Sequence, residues 1–116
     1  MNDQQHIDPA TLDMLEEVLE DGFIGLLETF IDDSRVKIVS LKSGLADANA
    51  DVVRRSAHSL KGSSSNLGAN PMAELCQRVE QQAREENLEG LDDIVEQIEA
   101  EYQHVETIMK EKMEKS

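Results

Sequence analysis

Tryptophan is absent from this chain of 116 residues, and aromatic residues make up only 3% of it. The core must therefore be filled by Leu, Ile, Val, Met and Ala, a mixture common in helical bundles. A single cysteine, Cys76, excludes an internal disulfide and fits a reducing compartment. No stretch approaches the roughly 20 apolar residues needed to span a bilayer. The N-terminus, MNDQQHIDPA, is polar and has no apolar signal core, so a cytoplasmic protein is expected. Basic residues are scarce: 11 stand against 25 acidic ones, for a formal net charge of -14. Such a surface repels DNA, RNA and anionic membranes, whose phosphates need Lys and Arg. The same surplus of acid also serves solubility alone, so it excludes partners without naming one. The alternating pattern of strands and the Asn-Gly or Asp-Gly signal of a hairpin between strands are missing. Neither a GxxxxGK[ST] loop nor a kinase Gly-rich loop occurs, so the sequence shows no site for ATP.

What is there is helical periodicity, in a length and apolar content (39%) that suit one folded domain. A short first helix is expected from Asp8 as cap and Pro9 as first residue, with Leu12, Leu15 and Leu19 inward, stopping at Gly22. The second runs from about Phe23 to Asp47, with Phe23, Leu27, Phe30, Ser34, Ile38, Leu41 and Leu45 at spacings of three and four. The third runs from Asn49 or Asp51 to about Asn66, on Val53, Ala57, Leu60, Ser64 and Leu67, and ends at Gly68. The fourth opens with Asn70 as cap and Pro71 as first residue, carries Met72, Leu75, Cys76, Val79 and Ala83, and frays near Asn87. The fifth follows Gly90 along Leu91, Ile94, Val95, Ile98, Tyr102, Val105 and Met109, with a fraying charged tail from Lys110 to Ser116. Short loops place consecutive helices antiparallel. The expectation is an all-α, antiparallel up-down four-helix bundle with a short additional N-terminal helix as a lid. It forms a single domain over residues 1–116 with a folded core of about 7–110.

The informative segment is RRSAHSLKGSSSNLGA, from Arg54 to Ala69. Each helical residue rotates by about 100 degrees, so with Ala57 and Leu60 facing the core, His58 stands at the edge of the buried stripe or beyond it. Lys61 and Gly62, three and four residues on, share its face. Ser65 continues that face, and Arg54 and Arg55 lie one turn before it. An imidazole with an ordinary pKa near 6.5 is largely an uncharged nucleophile at neutral pH. Lys61, read as an exposed residue, offers a compact positive charge to an anionic phosphoryl group. Gly62 costs a helix about 1 kcal/mol relative to Ala. On the outward face beside His58 it leaves bare backbone over which another protein reaches the imidazole. His6 and His104 have no ligand-like spacing to Cys76 or to each other, so no metal site is expected. Cys76 reads as a small buried hydrophobe.

The stretch AHSLKGSSSNLGA resembles the signature of the histidine phosphotransfer (HPt) family, H-x-x-K-G followed by small residues and then Leu-Gly. The downstream ELCQRVEQQAR and the upstream GLLETFIDDS resemble the flanking helices of that family. The resemblance covers roughly residues 7–110 with no clear departure from the pattern. It implies that His58 is the phosphoacceptor, Lys61 neutralises the phosphate and Gly62 admits the partner. It also places Glu80 where the family often has a Gln or Glu that hydrogen-bonds the imidazole. Ile7, Phe23 and Leu26 fall in regions resembling the receiver-docking surface, with Arg54, Arg55 and Ser65 as further candidates for partner contact.

The resemblance therefore implies a stand-alone bacterial phosphocarrier of a two-component phosphorelay, not a kinase. It would take phosphoryl from the phospho-Asp of a receiver domain, such as that of a hybrid sensor kinase. It would pass the group to the Asp of a response-regulator receiver. No cofactor is expected on the chain, because Mg2+ would sit on the receiver. No nucleic acid or membrane is expected as partner, and an exposed histidine works in a monomer. The rival readings are a non-catalytic helical adaptor and a domain cut from a larger kinase.

Overall fold

Five helices account for nearly all of residues 6–115, the part of the chain that the computed structural model describes. They are α1 (Pro9–Leu19), α2 (Gly22–Ala46), α3 (Ala50–Asn66), α4 (Asn70–Arg84) and α5 (Leu91–Glu114), with no strand among the described residues. Each of α2 to α5 packs against the next, and α5 closes the ring on α2. Together they form the antiparallel four-helix bundle that the short connections require. The core holds the expected stripes, among them Phe23, Leu27, Leu41, Val53, Ala57, Leu60, Met72, Cys76, Val79, Leu91, Ile98, Val105 and Met109. Each large aliphatic side chain fully withdrawn from water contributes about 1.5–3 kcal/mol.

Local chemistry sets the helix starts. Asp8 Oδ1 accepts the Ala10 N–H at 3.0 Å, and Pro9 takes the first helical position. Asn49 caps α3 by accepting the Val52 N–H at 3.1 Å. The Asp8 N–H also donates to the Gly68 carbonyl at 2.9 Å, which fixes the start of α1 on the turn between α3 and α4. Gly68 has φ +79, and an added Cβ would lie 2.9 Å from Thr11 Cβ, so this junction requires glycine twice over. At the opposite end α2 and α3 approach at Gly44, where an added Cβ would meet Val53 Cγ2 at 2.8 Å.

Several boundaries differ from expectation. Asn70 is the first residue of α4 rather than its cap, which is Ala69, and α4 ends at Arg84 rather than near Asn87. Leu19 is 39% exposed, because α1 ends there before completing another inward turn. Leu45 and Leu75 are only half-buried. The charged tail does not fray after Lys110: α5 continues to Glu114. Lys112 holds that end down, its Nζ 3.0 Å from Asp13 and 3.1 Å from Glu16 on α1. Tyr102 lies in the core, as expected, and its hydroxyl donates to the Ile31 carbonyl at 3.0 Å, joining α5 to α2.

Candidate functional site

The inward stripe of α3 sets the position of His58. Val53, Ala57, Leu60 and Ser64 are buried, and one residue beyond Ala57 the helix turns its next side chain outward. The His58 side chain is accordingly 65% exposed. On α4, Val79 and Ala83 point inward, and Glu80, next to Val79, falls into the seam against α3. Its carboxylate is buried, the residue being 1% exposed.

Glu80 organises the site. Its Oε2 lies 2.8 Å from His58 Nδ1. An ionised carboxylate only accepts, so Nδ1 carries the proton and donates it, leaving Nε2 with its lone pair. Lys61 Nζ stands 2.6 Å from the other oxygen, Oε1, while its well-aligned hydrogen bond goes to Gln77 Oε1 at 2.9 Å. Arg84 donates to Oε2 at 2.9 Å. Burial by itself would push the Glu80 carboxyl up, but the Lys61 ammonium and the His58 ring outweigh it and hold the group below the usual carboxylate value. The carboxylate has hydrogen-bond donors on Oε2 and the Lys61 charge beside Oε1, so the buried charge is paired. Beneath it, burial, reinforced by the nearby Glu80 charge, pushes the Cys76 thiol up to about 12, so this sulfur is inert packing.

Two further features mark this face. Nothing lies within 4 Å of where a Gly62 Cβ would be, so the helix surface beside His58 is open. The helices α3 and α4 carry Arg54, Arg55, Lys61, Arg78 and Arg84 against Asp51, Glu74 and Glu80. Together these two helices carry a net positive charge on a strongly acidic chain.

A family model described as the Hpt domain matches residues 25–108. The chain belongs to the Hpt domain family. A solved structure is similar as well: the crystal structure of histidine-containing phosphotransfer protein B from Pseudomonas aeruginosa PAO1. It is 37% identical, covers 96% of each chain and superposes with a TM-score of 0.93. No curated protein matches the chain.

Within this Hpt fold, the structure brings His58, Lys61, Gly62 and Glu80 together, the four residues of the expected centre. Lys61 is not the freely exposed charge expected from sequence: its side chain is only 29% exposed, because Glu80 and Gln77 hold the ammonium in the α3–α4 seam. Arg54 and Arg55 both bind Asp51 at 3.0 Å, one turn before His58. Ser65 is exposed and borders a shallow cleft with Lys61, Gly62, Asn70 and Gln77. Leu26 is half-buried and lines an apolar groove with Leu15, Leu19, Phe30 and Leu67, which Ser63 edges from α3.

Ile7 and Phe23 require correction: both are fully buried core residues and offer no side chain to a partner. Phe23 follows the inward register of Leu27 and Phe30, and Ile7 is pulled in by the anchoring of Asp8 on Gly68. Gln77 and Arg84 were missed by sequence reasoning. They lie three residues before and four residues after Glu80, so the helical period would have exposed them as its neighbours. His6 and His104, distant in sequence, stack with ring centroids 4.4 Å apart, and His6 Nδ1 bonds Glu101 at 2.8 Å. Among the described residues no group of three or more His, Cys, Asp or Glu is placed to hold a metal ion. No described helix is long and apolar enough to cross a membrane.

Proposed function

We infer that this Hpt protein carries a phosphoryl group on His58 in a phosphorelay, from the phospho-Asp of one receiver domain to the Asp of another. Histidine phosphotransfer is the activity of the family, and Hpt domains interact with receiver domains of response regulators and hybrid kinases. The observation that carries the assignment to His58 is an exposed imidazole whose Nδ1 is committed to the buried Glu80 carboxylate.

The chemistry follows from that bond. The Nε2 lone pair attacks phosphorus, a P–N bond forms, and the acyl P–O bond of the donor breaks. The donor carboxylate leaves with the electron pair. The ring keeps its Nδ1 proton and becomes a phosphoimidazolium, whose positive charge faces Glu80. A cationic ring is a good leaving group, so the same arrangement serves the onward step to a second aspartate. Lys61 neutralises the phosphoryl oxygens, and Gly62 lets the receiver approach closely. Leu26 and its apolar groove, with Ser65, Arg54 and Arg55 at the periphery, supply docking surface. Mg2+ acts from the receiver, not from this chain. With no nucleotide-binding loop in the sequence, the protein is a phosphocarrier rather than a kinase. It works as a monomer in the cytoplasm, with a hybrid sensor kinase as donor and a response regulator as acceptor.

The test is incubation with a radiolabelled phospho-receiver and Mg2+, beside a His58→Gln variant. Acid-labile label on the wild type and none on the variant is the expected result. Equal labelling of both would remove His58 from the role. No label from a broad panel of receivers would favour a non-catalytic adaptor.

A further inference from the structure

Glu80 has more cationic partners than orientation of His58 requires. The His58 ring and Arg84 share Oε2, while Lys61 stands alone at Oε1. Taking the reading above as given, Lys61 has two appointments. Before transfer it is 2.6 Å from Oε1. After transfer it faces a phosphoryl group on Nε2, across Cε1 from the nitrogen that Glu80 holds. Turning to those oxygens draws the ammonium away from Oε1. A buried carboxylate holds on to its counter-charge, because a bare charge in that seam is costly.

The geometry points to Arg84 as a positioning residue that keeps Glu80 neutralised when Lys61 turns from Glu80 to the phosphoryl group. Arg84 is suited to this. It reaches Glu80 from one turn along the same helix, so its contact does not depend on α3. Its guanidinium is planar and permanently charged. Its side chain is 64% exposed, so it supports little packing. It contacts the oxygen that Lys61 does not, and so it stays in place when Oε1 is vacated. Lys61 then exchanges one anion for another at little electrostatic cost, and the Nδ1–H bond of His58 to Oε2 survives the exchange. Arg84 never touches the phosphoryl group in this scheme; it acts through Glu80 and Lys61.

The test uses the full chain and two donors, a radiolabelled phospho-receiver with Mg2+ and the small donor phosphoramidate. Phosphoramidate releases ammonia as its P–N bond breaks and needs no docking surface. In Arg84→Met, initial uptake should fall by about tenfold with both donors, and Arg84→Lys should recover most of it. In a Lys61→Met background the same Arg84→Met change should cost less than about twofold, since there is no lysine left to release. Normal uptake by Arg84→Met would overturn the inference. So would effects of the two substitutions that simply multiply, which would mean that Arg84 acts independently of Lys61. A loss confined to the receiver donor would make Arg84 a docking residue instead. Circular dichroism checks that helicity is kept. Where Arg84→Met lowers it, Arg84→Gln at matched helicity takes its place and is judged by the same criteria. Failure of the wild type to take label would overturn the phosphocarrier reading itself, a result distinct from all of these.

Discussion

Replacing Glu80 by glutamine isolates what its charge does. The two side chains are nearly isosteric, and a glutamine carbonyl still accepts the His58 Nδ1–H, so orientation and tautomer survive. The charge facing the ring is lost, and with it the counter-charge to Lys61 and Arg84. The contact is 2.8 Å from Nδ1 to Oε2, which puts the charge centres roughly 4 Å apart. The site opens to water on the His58 and Arg84 side, so a high effective dielectric applies, and the attraction to a phosphoimidazolium is about 1–2 kcal/mol. That charge develops during transfer and is weaker in the resting state, so its loss falls on the rate. At 1.36 kcal/mol per decade, Glu80→Gln should slow phosphoryl uptake by roughly 5- to 30-fold. Single-turnover transfer from a saturating labelled phospho-receiver measures this directly. An initial rate within twofold of wild type, with helicity unchanged, would refute the idea that a buried negative charge assists the ring.

Glu80 also makes stability depend on acid. Its carboxyl is held below the value of 4.5 of a free glutamate, so it binds its proton more weakly in the folded state than in the unfolded one. The stabilisation is present above pH 4.5 and is lost as pH falls through the folded value. Acid titration followed by circular dichroism should therefore show a steeper loss for wild type than for Glu80→Gln below that pH; parallel curves would contradict it. Gly62→Gln should raise helix stability by up to about 1 kcal/mol, since nothing obstructs the new side chain. It should also impair transfer from a receiver, and normal transfer would remove the proposed reason for glycine there. Gly44→Ala should destabilise the bundle by about 1–3 kcal/mol, because the added methyl meets Val53; an unchanged denaturation midpoint would show that α2 and α3 separate freely.

Periodicity carried most of the fold because the helices are amphipathic in register with 3.6 residues per turn. The four bundle stripes named from sequence are the core stripes of the structure, apart from the half-buried Leu45, Leu75 and Ile94. What periodicity cannot carry is pairing between helices. Glu80 meets His58 across 22 positions of sequence, and only the family pattern suggested that contact. Arg84 and Gln77 gain meaning once Glu80 is fixed, so they stayed hidden behind it. Ile7 and Phe23 went wrong for the complementary reason: a region of a family surface does not tell which side chains in it point outward. The tail after Lys110 departs from the expected fraying because charged residues there are not all solvated: Lys112 makes a long-range ion pair to Asp13 and Glu16.

The bond between His58 Nδ1 and Glu80 has one more consequence, for the chemical identity of the modified protein. Phosphohistidine exists as two regioisomers, and a free imidazole in solution gives mixtures. With Nδ1 masked by a buried carboxylate, modification on the proposed reading is confined to the τ nitrogen. Reagents that discriminate τ- from π-phosphohistidine, whether antibodies or phosphatases, would then see a single species on this chain. The buried glutamate would thus determine which enzymes are able to erase the mark.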